Sequence, residues 1–124
     1  MLNKTQSFEQ LRKQLNRREA KELLQILRED EKVKKLVRGL FHQNLAILVV
    51  TTRRIIFMYK TFPLGYQIKV FPYHIIQNVR YESGITSAKI KIYTLTENIE
   101  LENFAKEQLK GISEFISILA GNFV

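Results

Sequence analysis

The segment LAILVVTTRRIIFMYK, residues 45–60, constrains the fold of this chain more than any other part of the sequence. Two apolar runs meet at four polar residues, and neither run alternates apolar with polar side chains. Successive side chains of a strand point to opposite faces, so the segment predicts two strands that are apolar on both faces. Leaving one face in water would forgo several kcal/mol at about 25 cal/mol per Å2, comparable to the net stability of a domain. The second face therefore needs a cover.

The nearest candidate cover is a pair of amphipathic helices at the N-terminus. Ser7 with Gln10, and Asn16 with Glu19, have the capping-box spacing that starts a helix, and the second helix is expected to end near Arg28. The alternatives are a second copy of the protein, another partner, or a helix pair lying on an anionic membrane surface. The candidate docking or interface residues are Phe8, Leu11, Leu15, Leu23, Leu27, Leu48, Ile56 and Met58. The candidate basic helix face consists of Arg12, Lys13, Arg17 and Arg18.

The rest of the chain predicts an α+β fold. The expected strands are Val33–Phe41, Leu45–Thr51, Arg54–Lys60, Tyr66–Phe71, Ile76–Tyr81 and two more around residues 89–93 and 99–102. Seven antiparallel strands joined by tight turns favour a closed or nearly closed barrel. A last helix, expected from about Asn103 to Gly121, would cap it with Leu109, Ile112, Phe115, Ile116 and Leu119. The expected organisation is a helical extension over residues 1–30 and a barrel domain over residues 31–124.

The charge of +8 is unevenly distributed. Residues 1–41 carry net +5, residues 42–80 carry five cations and no acid, and residues 81–124 carry net −2. Such a field favours an acidic protein, an anionic membrane surface or a nucleic acid as partner. The candidate anion-facing residues are Arg53, Arg54, Lys60, Lys69 and Arg80, with Tyr59 and Tyr66 interleaved for stacking on bases. The alternatives are a solvated basic surface and, for Arg54, a structural role on carbonyls of the Thr51–Arg54 turn.

The residue types speak against catalysis. The chain has no cysteine and two histidines, His42 and His74, neither in metal-ligand spacing with a carboxylate. It has no glycine-rich phosphate loop, nucleophile elbow or zinc-protease motif. The acidic triplet Glu29-Asp30-Glu31 is expected to be solvated. We therefore expect no enzyme, no metal and no cofactor.

The sequence also gives an expectation for localisation. The start, MLNKTQSFEQLRK, lacks the apolar core of a signal peptide. The longest apolar run is far shorter than the roughly 20 residues that span a bilayer. We expect a cytoplasmic protein, with peripheral contact to the inner membrane face as an option.

Short motifs in a fixed order resemble the bacterial PH-like domains of the YokE-like group within the pleckstrin-homology superfold. They are Thr51-x-x-Arg54 followed by Ile55-Ile56-Phe57, then Pro72 with Ile76-x-x-Val79, then Ile90-Lys91-Ile92-Tyr93. The resemblance covers residues 31–120 and implies two near-orthogonal antiparallel sheets with a C-terminal capping helix. It also implies an interaction module that self-associates. Eukaryotic relatives that bind inositol phosphates place Lys or Arg around a long first-hairpin loop, whereas the loop 42–44 here is short and has neither.

The expected function is therefore a non-catalytic PH-like module. It would use an apolar face and a basic surface to dock on itself, on an acidic protein or on a membrane surface. The alternative is a nucleic-acid-binding accessory protein that uses the basic face.

Overall fold

The computed structural model describes residues 14–61, 63, 65–85, 87–103 and 112–121 of the 124-residue chain. Helix α1 (Arg17–Ile26) precedes seven strands, and helix α2 (Ile112–Ala120) follows them. The strands are β1 (Val33–Phe41), β2 (Asn44–Thr51), β3 (Arg54–Lys60), β4 (Tyr66–Pro72), β5 (Ile76–Ser83), β6 (Ala88–Thr94) and β7 (Asn98–Asn103). A 3₁₀ turn, Tyr73–Ile75, joins β4 to β5. The expected run of seven strands between helices is confirmed, while the first of the two expected N-terminal helices lies outside the described residues.

The expected start of the last helix, at about Asn103, borders residues that lie outside the described ranges. Asn103 is the final residue of β7, and the described part of the helix starts at Ile112. Asn103 itself continues the β7 ladder opposite Ala88, and residues 104–111 lie outside the described ranges, so a helix start near Asn103 stays a prediction. Leu109 lies outside the described residues. At the other end, Gly121 has a φ of 74° and its N–H donates to the carbonyl of Ile118 at 3.1 Å. This is the left-handed helix end that the glycine predicts.

The strands form one hydrogen-bonded order, β4-β3-β2-β1-β7-β6-β5, in which every ladder is antiparallel. Strands β1 to β4 pair along most of their lengths, and so do β5 to β7. Strands β1 and β7 meet at one pair, Leu40 opposite Glu102. The molecule thus consists of a four-stranded and a three-stranded part joined at one corner. Within the described residues no ladder joins β4 to β5, so the expected shell is open on that side.

Gly39 lies at the corner where the two parts meet. A Cβ added at Gly39 would collide with the carbonyl oxygen of Glu102 and would stand 3.0 Å from the Leu101 side chain. The two backbones therefore approach each other so closely that only glycine fits without a shift. Gly39, which disfavours a helix in this segment, is thus required by the contact of β1 with β7.

The inner faces of the strands enclose the main core. Its largest fully buried side chains include Leu48 and Phe57 from the four-stranded part and Ile90 and Ile92 from the three-stranded part. Helix α2 packs against this core with Ile112 and Ile116 buried and with Phe115, Leu119 and Ala120 partly buried. These five residues recur at helical spacing, so one stripe of α2 closes the core as the sequence predicts.

Polar contacts connect elements across the open side. The ammonium of Lys69 on β4 lies 2.5 Å from the carboxylate of Glu97 in the β6–β7 turn. This partner raises the pKa of Lys69 above its ordinary value of 10.5. The N–H of Leu95 donates to the carbonyl of Ile75 at 3.0 Å. The β6–β7 turn is therefore held against β4 and against the 3₁₀ turn that leads from β4 to β5.

Candidate functional site

The outer face of the four-stranded part is covered by α1. Helix α1 starts at a capping box in which the side chain of Asn16 accepts from the N–H of Glu19 at 2.8 Å and Glu19 accepts from the N–H of Asn16 at 2.9 Å. Its apolar stripe and the outward side chains of β2 and β3 form a second buried cluster, separate from the main core. The buried members of this cluster are Leu15, Ala20, Leu23, Leu27, Ile47, Val49, Ile56 and Met58.

The register of β2 and β3 decides which of their residues meet the helix. Ile47 lies opposite Met58 and Val49 opposite Ile56, and these two pairs point outward to α1. Leu48 lies opposite Phe57 and belongs to the main core, so its assignment to the docking face is wrong. The reason is the two-residue period of a strand, which places Leu48 and Ile56 on opposite faces in this register.

The docking residues predicted from the sequence divide accordingly. The structure brings Leu15, Leu23, Leu27, Ile56 and Met58 together in the cluster under α1. Phe8 and Leu11 lie outside the described residues. Ala20, Ile47 and Val49 complete the cluster although they were not among the predicted contacts. The signal for Ile47 and Val49 was the two-residue period of a strand, which places them on one face of β2 and Leu48 and Val50 on the other.

The N-terminal end of α1 is held to β1 by an ion pair. The carboxylate of Glu19 is buried and receives both terminal nitrogens of Arg38, Nη2 at 2.5 Å and Nη1 at 3.1 Å. The same carboxylate also caps the helix through the N–H of Asn16. A bidentate ion pair of this kind fixes the orientation of the two side chains as well as their distance. It therefore fixes the direction of α1 on the sheet.

The C-terminal end of α1 is held by a buried polar network around Glu31. The guanidinium of Arg54 donates from Nε and Nη2 to Glu31, both at 2.9 Å, and from Nη2 to the carbonyl of Ile26 at 2.7 Å. Glu31 also accepts from the hydroxyl of Thr51 at 2.6 Å and from the N–H of Arg28 at 3.0 Å. The expectation of a solvated acidic triplet is therefore wrong for Glu31, which is fully buried.

The ionisation of Glu31 follows from these partners. Burial alone would raise the pKa of its carboxyl group, because a charge loses its hydration in the interior. The hydrogen bonds from Arg54, Thr51 and the N–H of Arg28 outweigh that effect, and the pKa lies below its ordinary value of 4.5. Glu31 is therefore a carboxylate at neutral pH, and Arg54 has a structural partner. The carbonyl that Arg54 reaches is that of Ile26 at the end of α1, not one of its own turn.

The five cations predicted to face an anion do not form one surface. Arg54 is engaged in the network around Glu31, Arg53 pairs with Asp30, and Lys69 pairs with Glu97. The guanidinium of Arg80 lies 5.9 Å from the ring centre of Tyr93 on the outer face of the three-stranded part. Lys60 is exposed at the end of β3. Three of these five cations are therefore paired with acids, and a fourth lies over an aromatic ring.

Exposed positive charge collects instead on α1 and the start of β1. Arg17 is exposed, and Arg18 is exposed with its guanidinium 5.6 Å from the ring centre of Tyr66, while Arg12 and Lys13 lie outside the described residues. Further exposed cations, which the predicted set did not include, lie on α1, at the start of β1 and in the segment between them. The cationic face, as we define it, consists of Arg17, Arg18, Lys21, Arg28, Lys34 and Lys35. The spacing of Arg17 and Lys21, four residues apart on the helix, was the signal that could have extended the predicted set.

Other kinds of site find little support among the described residues. His42 and His74 are both exposed, and no group of three or more His, Asp or Glu side chains in these ranges is placed to hold a metal ion. No helix in the described ranges is long and apolar enough to cross a membrane.

Comparison with known proteins gives a consistent family assignment. A family model described as a bacterial PH domain matches residues 27–118. A pleckstrin homology domain from Shewanella amazonensis SB2B has a similar structure, with a TM-score of 0.58, 22% identity, and coverage of 84% of this chain and 96% of that one. A DUF1696 family protein with a pleckstrin-homology domain from Shewanella loihica PV-4 is similar, with a TM-score of 0.58, 22% identity, and coverage of 86% and 98%. No curated protein matches the chain. With a PH-like strand order and a family match over most of its length, the chain belongs to the bacterial PH domain family.

Proposed function

We propose that this bacterial PH domain is a non-catalytic interaction module that docks on an acidic protein through the cationic face of α1 and β1. PH-like domains generally act as modules that mediate interactions. The observation that carries the proposal is the set of six exposed cations on α1, β1 and the segment between them. They outnumber the three acids that are exposed or partly exposed there, Glu22, Glu29 and Asp30. The proposal treats residues 1–30 as a helical extension of a PH-like domain over residues 31–124.

An acidic protein is favoured over insertion into a membrane. An amphipathic helix that lies in a bilayer surface needs its apolar stripe for the acyl chains. The stripe of α1, with Leu23 fully buried, is already occupied by β2 and β3. The helix therefore offers charge and no free apolar face. The proposal keeps the expectation of a cytoplasmic protein whose contact with the inner membrane face would be electrostatic and peripheral.

A nucleic acid is the weaker alternative. Its sequence argument used the strand cations together with Tyr59 and Tyr66 as stacking platforms. Tyr59 packs between Phe41 and Phe57 in the core, with ring centres at 4.8 and 5.6 Å, and Tyr66 lies beneath Arg18. Neither ring offers a free face of the kind on which bases stack.

A matched pair of charge reversals tests the docking proposal. Lys21→Glu changes the cationic face, and Lys60→Glu makes the same charge change at an exposed position outside it. We expect Lys21→Glu to weaken binding to a polyglutamate probe about fivefold and Lys60→Glu to leave it nearly unchanged. Equal effects would mean that net charge and not this face attracts the probe. Tighter binding to phosphatidylserine vesicles or to DNA, with a steep salt slope for DNA, would favour the alternatives.

Self-association is the second part of the proposal, and it is supported by the edge strand β4. Strand β4 pairs with β3 over seven residues and, within the described residues, with no other strand, and its Val70 is exposed. An uncovered edge with apolar side chains is a surface on which another strand can pair. Light scattering should find an oligomer in the native protein and a smaller species after Val70→Lys. A native protein that is monomeric at high concentration would contradict this part and leave the docking proposal standing.

A further inference from the structure

A small cavity lies where β7 runs past the β1–β2 turn. The ladder between β1 and β7 contains the single pair Leu40 and Glu102, and continuing its register places Glu100 beside His42, beyond the end of β1. On the side of β7 that faces β1, the first half of β7 therefore has a cavity beside it and no paired strand. The cavity has a volume of about 250 Å3 and is lined chiefly by Phe41, His42, Lys91, Tyr93, Asn98 and Glu100.

The turn that forms one wall of the cavity has an unfavourable backbone. His42 and Gln43 have φ values of 48° and 68°, as a two-residue hairpin turn requires, and such positions usually carry glycine, asparagine or aspartate. Residues held in the left-handed region are enriched at functional sites. Here the turn carries the imidazole of His42 to within 4.3 Å of the ring centre of Phe41, with the two planes at 63°. The rings of Phe41 and His42 thus lie edge to face against each other, and both line the cavity.

The side chains around the cavity keep unused hydrogen-bonding capacity. Within the part of the chain that the structure describes, no hydrogen bond is made by the ring nitrogens of His42, the hydroxyl of Tyr93 or the amide of Asn98. Each of these groups can donate or accept. Three groups of this kind, facing one space, are suited to a ligand with several hydroxyls.

The charges around the cavity cancel. Lys91 lies 3.3 Å from Glu82, and Glu100 lies 2.7 Å from Lys89. The hydrogen bond from Lys89 lowers the pKa of Glu100, which therefore remains an acceptor at neutral pH. One cation and one anion in the lining give no preference for an inorganic anion or for a cation. A neutral ligand is the better match.

We propose that this cavity binds a neutral sugar unit of monosaccharide size. The volume is below the range of about 300–1,000 Å3 that holds drug-sized ligands, so it suits one small ring. A pyranose has an apolar C–H face for the rings of Phe41 and His42 and hydroxyls for the polar side chains. The guanidinium of Arg80 already lies over the ring of Tyr93, so Tyr93 contributes its hydroxyl. A second cavity of about 380 Å3, beside the β5–β6 turn, has Glu82, Ser83, Ser87, Lys89 and Glu102 in its lining but no aromatic residue. This second cavity is an internal control for sugar binding to polar side chains without an aromatic ring.

NMR titration of the ¹⁵N-labelled full chain tests the proposal. The probes are the methyl glycosides of glucose, galactose, mannose and N-acetylglucosamine, with inorganic phosphate and free lysine as charged comparators. We expect one sugar to give saturable shifts with a Kd in the millimolar range, confined to residues 41–43, 91–93 and 98–100. Three results would overturn the assignment: no saturation by any sugar below about 100 mM, tighter binding of phosphate or lysine, or shifts centred on Ser87.

A matched pair of turn variants separates the role of the imidazole from that of the turn. His42→Gly and Gln43→Gly each relieve a left-handed residue, and each should raise the melting temperature by a few degrees. Only His42 lines the cavity, so His42→Gly should weaken sugar binding about tenfold while Gln43→Gly leaves it unchanged. Equal affinities for the two variants would show that His42 is a turn residue without a binding role and would overturn its part in the site.

Discussion

Replacing Arg54 with methionine should destabilise the domain far more than the same change at its neighbour Arg53. Arg54 is 13% exposed and pairs with Glu31, which is 0% exposed, whereas the pair of Arg53 with Asp30 is 44% and 63% exposed. Arg54→Met removes two hydrogen bonds from a carboxylate that has no access to water. The apolar side chain of methionine replaces the packing of the methylene groups of Arg54. The measured loss therefore reports the removal of the guanidinium group and not a loss of packing.

The expected loss in the free energy of unfolding follows from the hydrogen bonds that Glu31 retains in this variant. After the change it retains the donors of Thr51 and the Arg28 N–H but loses both bonds from Arg54. Hydrogen bonds to charged groups contribute roughly 1.5–3 kcal/mol each, and a buried charge left without its partner costs about 3–5 kcal/mol. We expect a loss of that size for Arg54→Met, a large part of the 5–15 kcal/mol typical of a domain. Arg53→Met should leave the free energy of unfolding nearly unchanged.

Urea unfolding followed by far-UV circular dichroism measures both variants at pH 7. The double variant Glu31→Gln/Arg54→Met carries no buried charge, so it should be more stable than the sum of its single changes predicts, by at least about 1 kcal/mol. Equal losses for Arg53→Met and Arg54→Met would refute the reasoning. Strict additivity in the double variant would refute it as well, because the two groups would then not act as a pair.

Three further predictions concern the same framework. Leu23→Ala, at the fully buried centre of the α1 stripe, should reduce the free energy of unfolding by about 2–5 kcal/mol, and Leu24→Ala, half-buried beside it, by about 1 kcal/mol or less in the same urea assay. The pKa of Glu31 in the folded protein lies below its ordinary value of 4.5, so the carboxylate stabilises the fold above that pH and the stabilisation is lost as the pH falls through the folded pKa. The free energy of unfolding should therefore fall less steeply with decreasing pH in Glu31→Gln than in the native protein. Identical slopes would contradict this. Gly39→Ala should lower stability by about 1–3 kcal/mol, because the new methyl group meets the carbonyl of Glu102, and an unchanged melting temperature would disprove that close contact.

The fold was largely predictable because its strongest signals are local. Alternation, turn residues and capping boxes each act over a few residues, and they located the seven strands and α1. The two-faced character of β2 and β3 also predicted that a further layer must cover them. The face of Leu48 was not predictable in this way, because the pairing of β2 with β3 decides it. The opening between β4 and β5 likewise depends on how the sheet bends across the whole chain.

The site was less predictable because its charges are matched by residues distant in sequence. Arg53 meets Asp30 across 23 positions, and Lys69 meets Glu97 across 28. A count along the chain treats residues 42–80 as purely cationic, although the acids that neutralise them come from before and after this range. The burial of Glu31 was not predicted for the same reason, because no residue near it in the sequence indicates that it packs against Arg54.

The position of α1 connects these observations to function. A helix with one apolar stripe and one cationic face has two separate ways to bind, and the fold uses one of them. Its stripe buries against β2 and β3, and Glu19 and the network around Glu31 fix both of its ends. In the proposed docking, the side of α1 that meets the partner is therefore the opposite one, where Arg17 and Lys21 lie one helical turn apart. A surface of that kind attracts an acidic partner from a distance but contributes little apolar area on contact, so binding through it alone should be fast, salt-sensitive and weak.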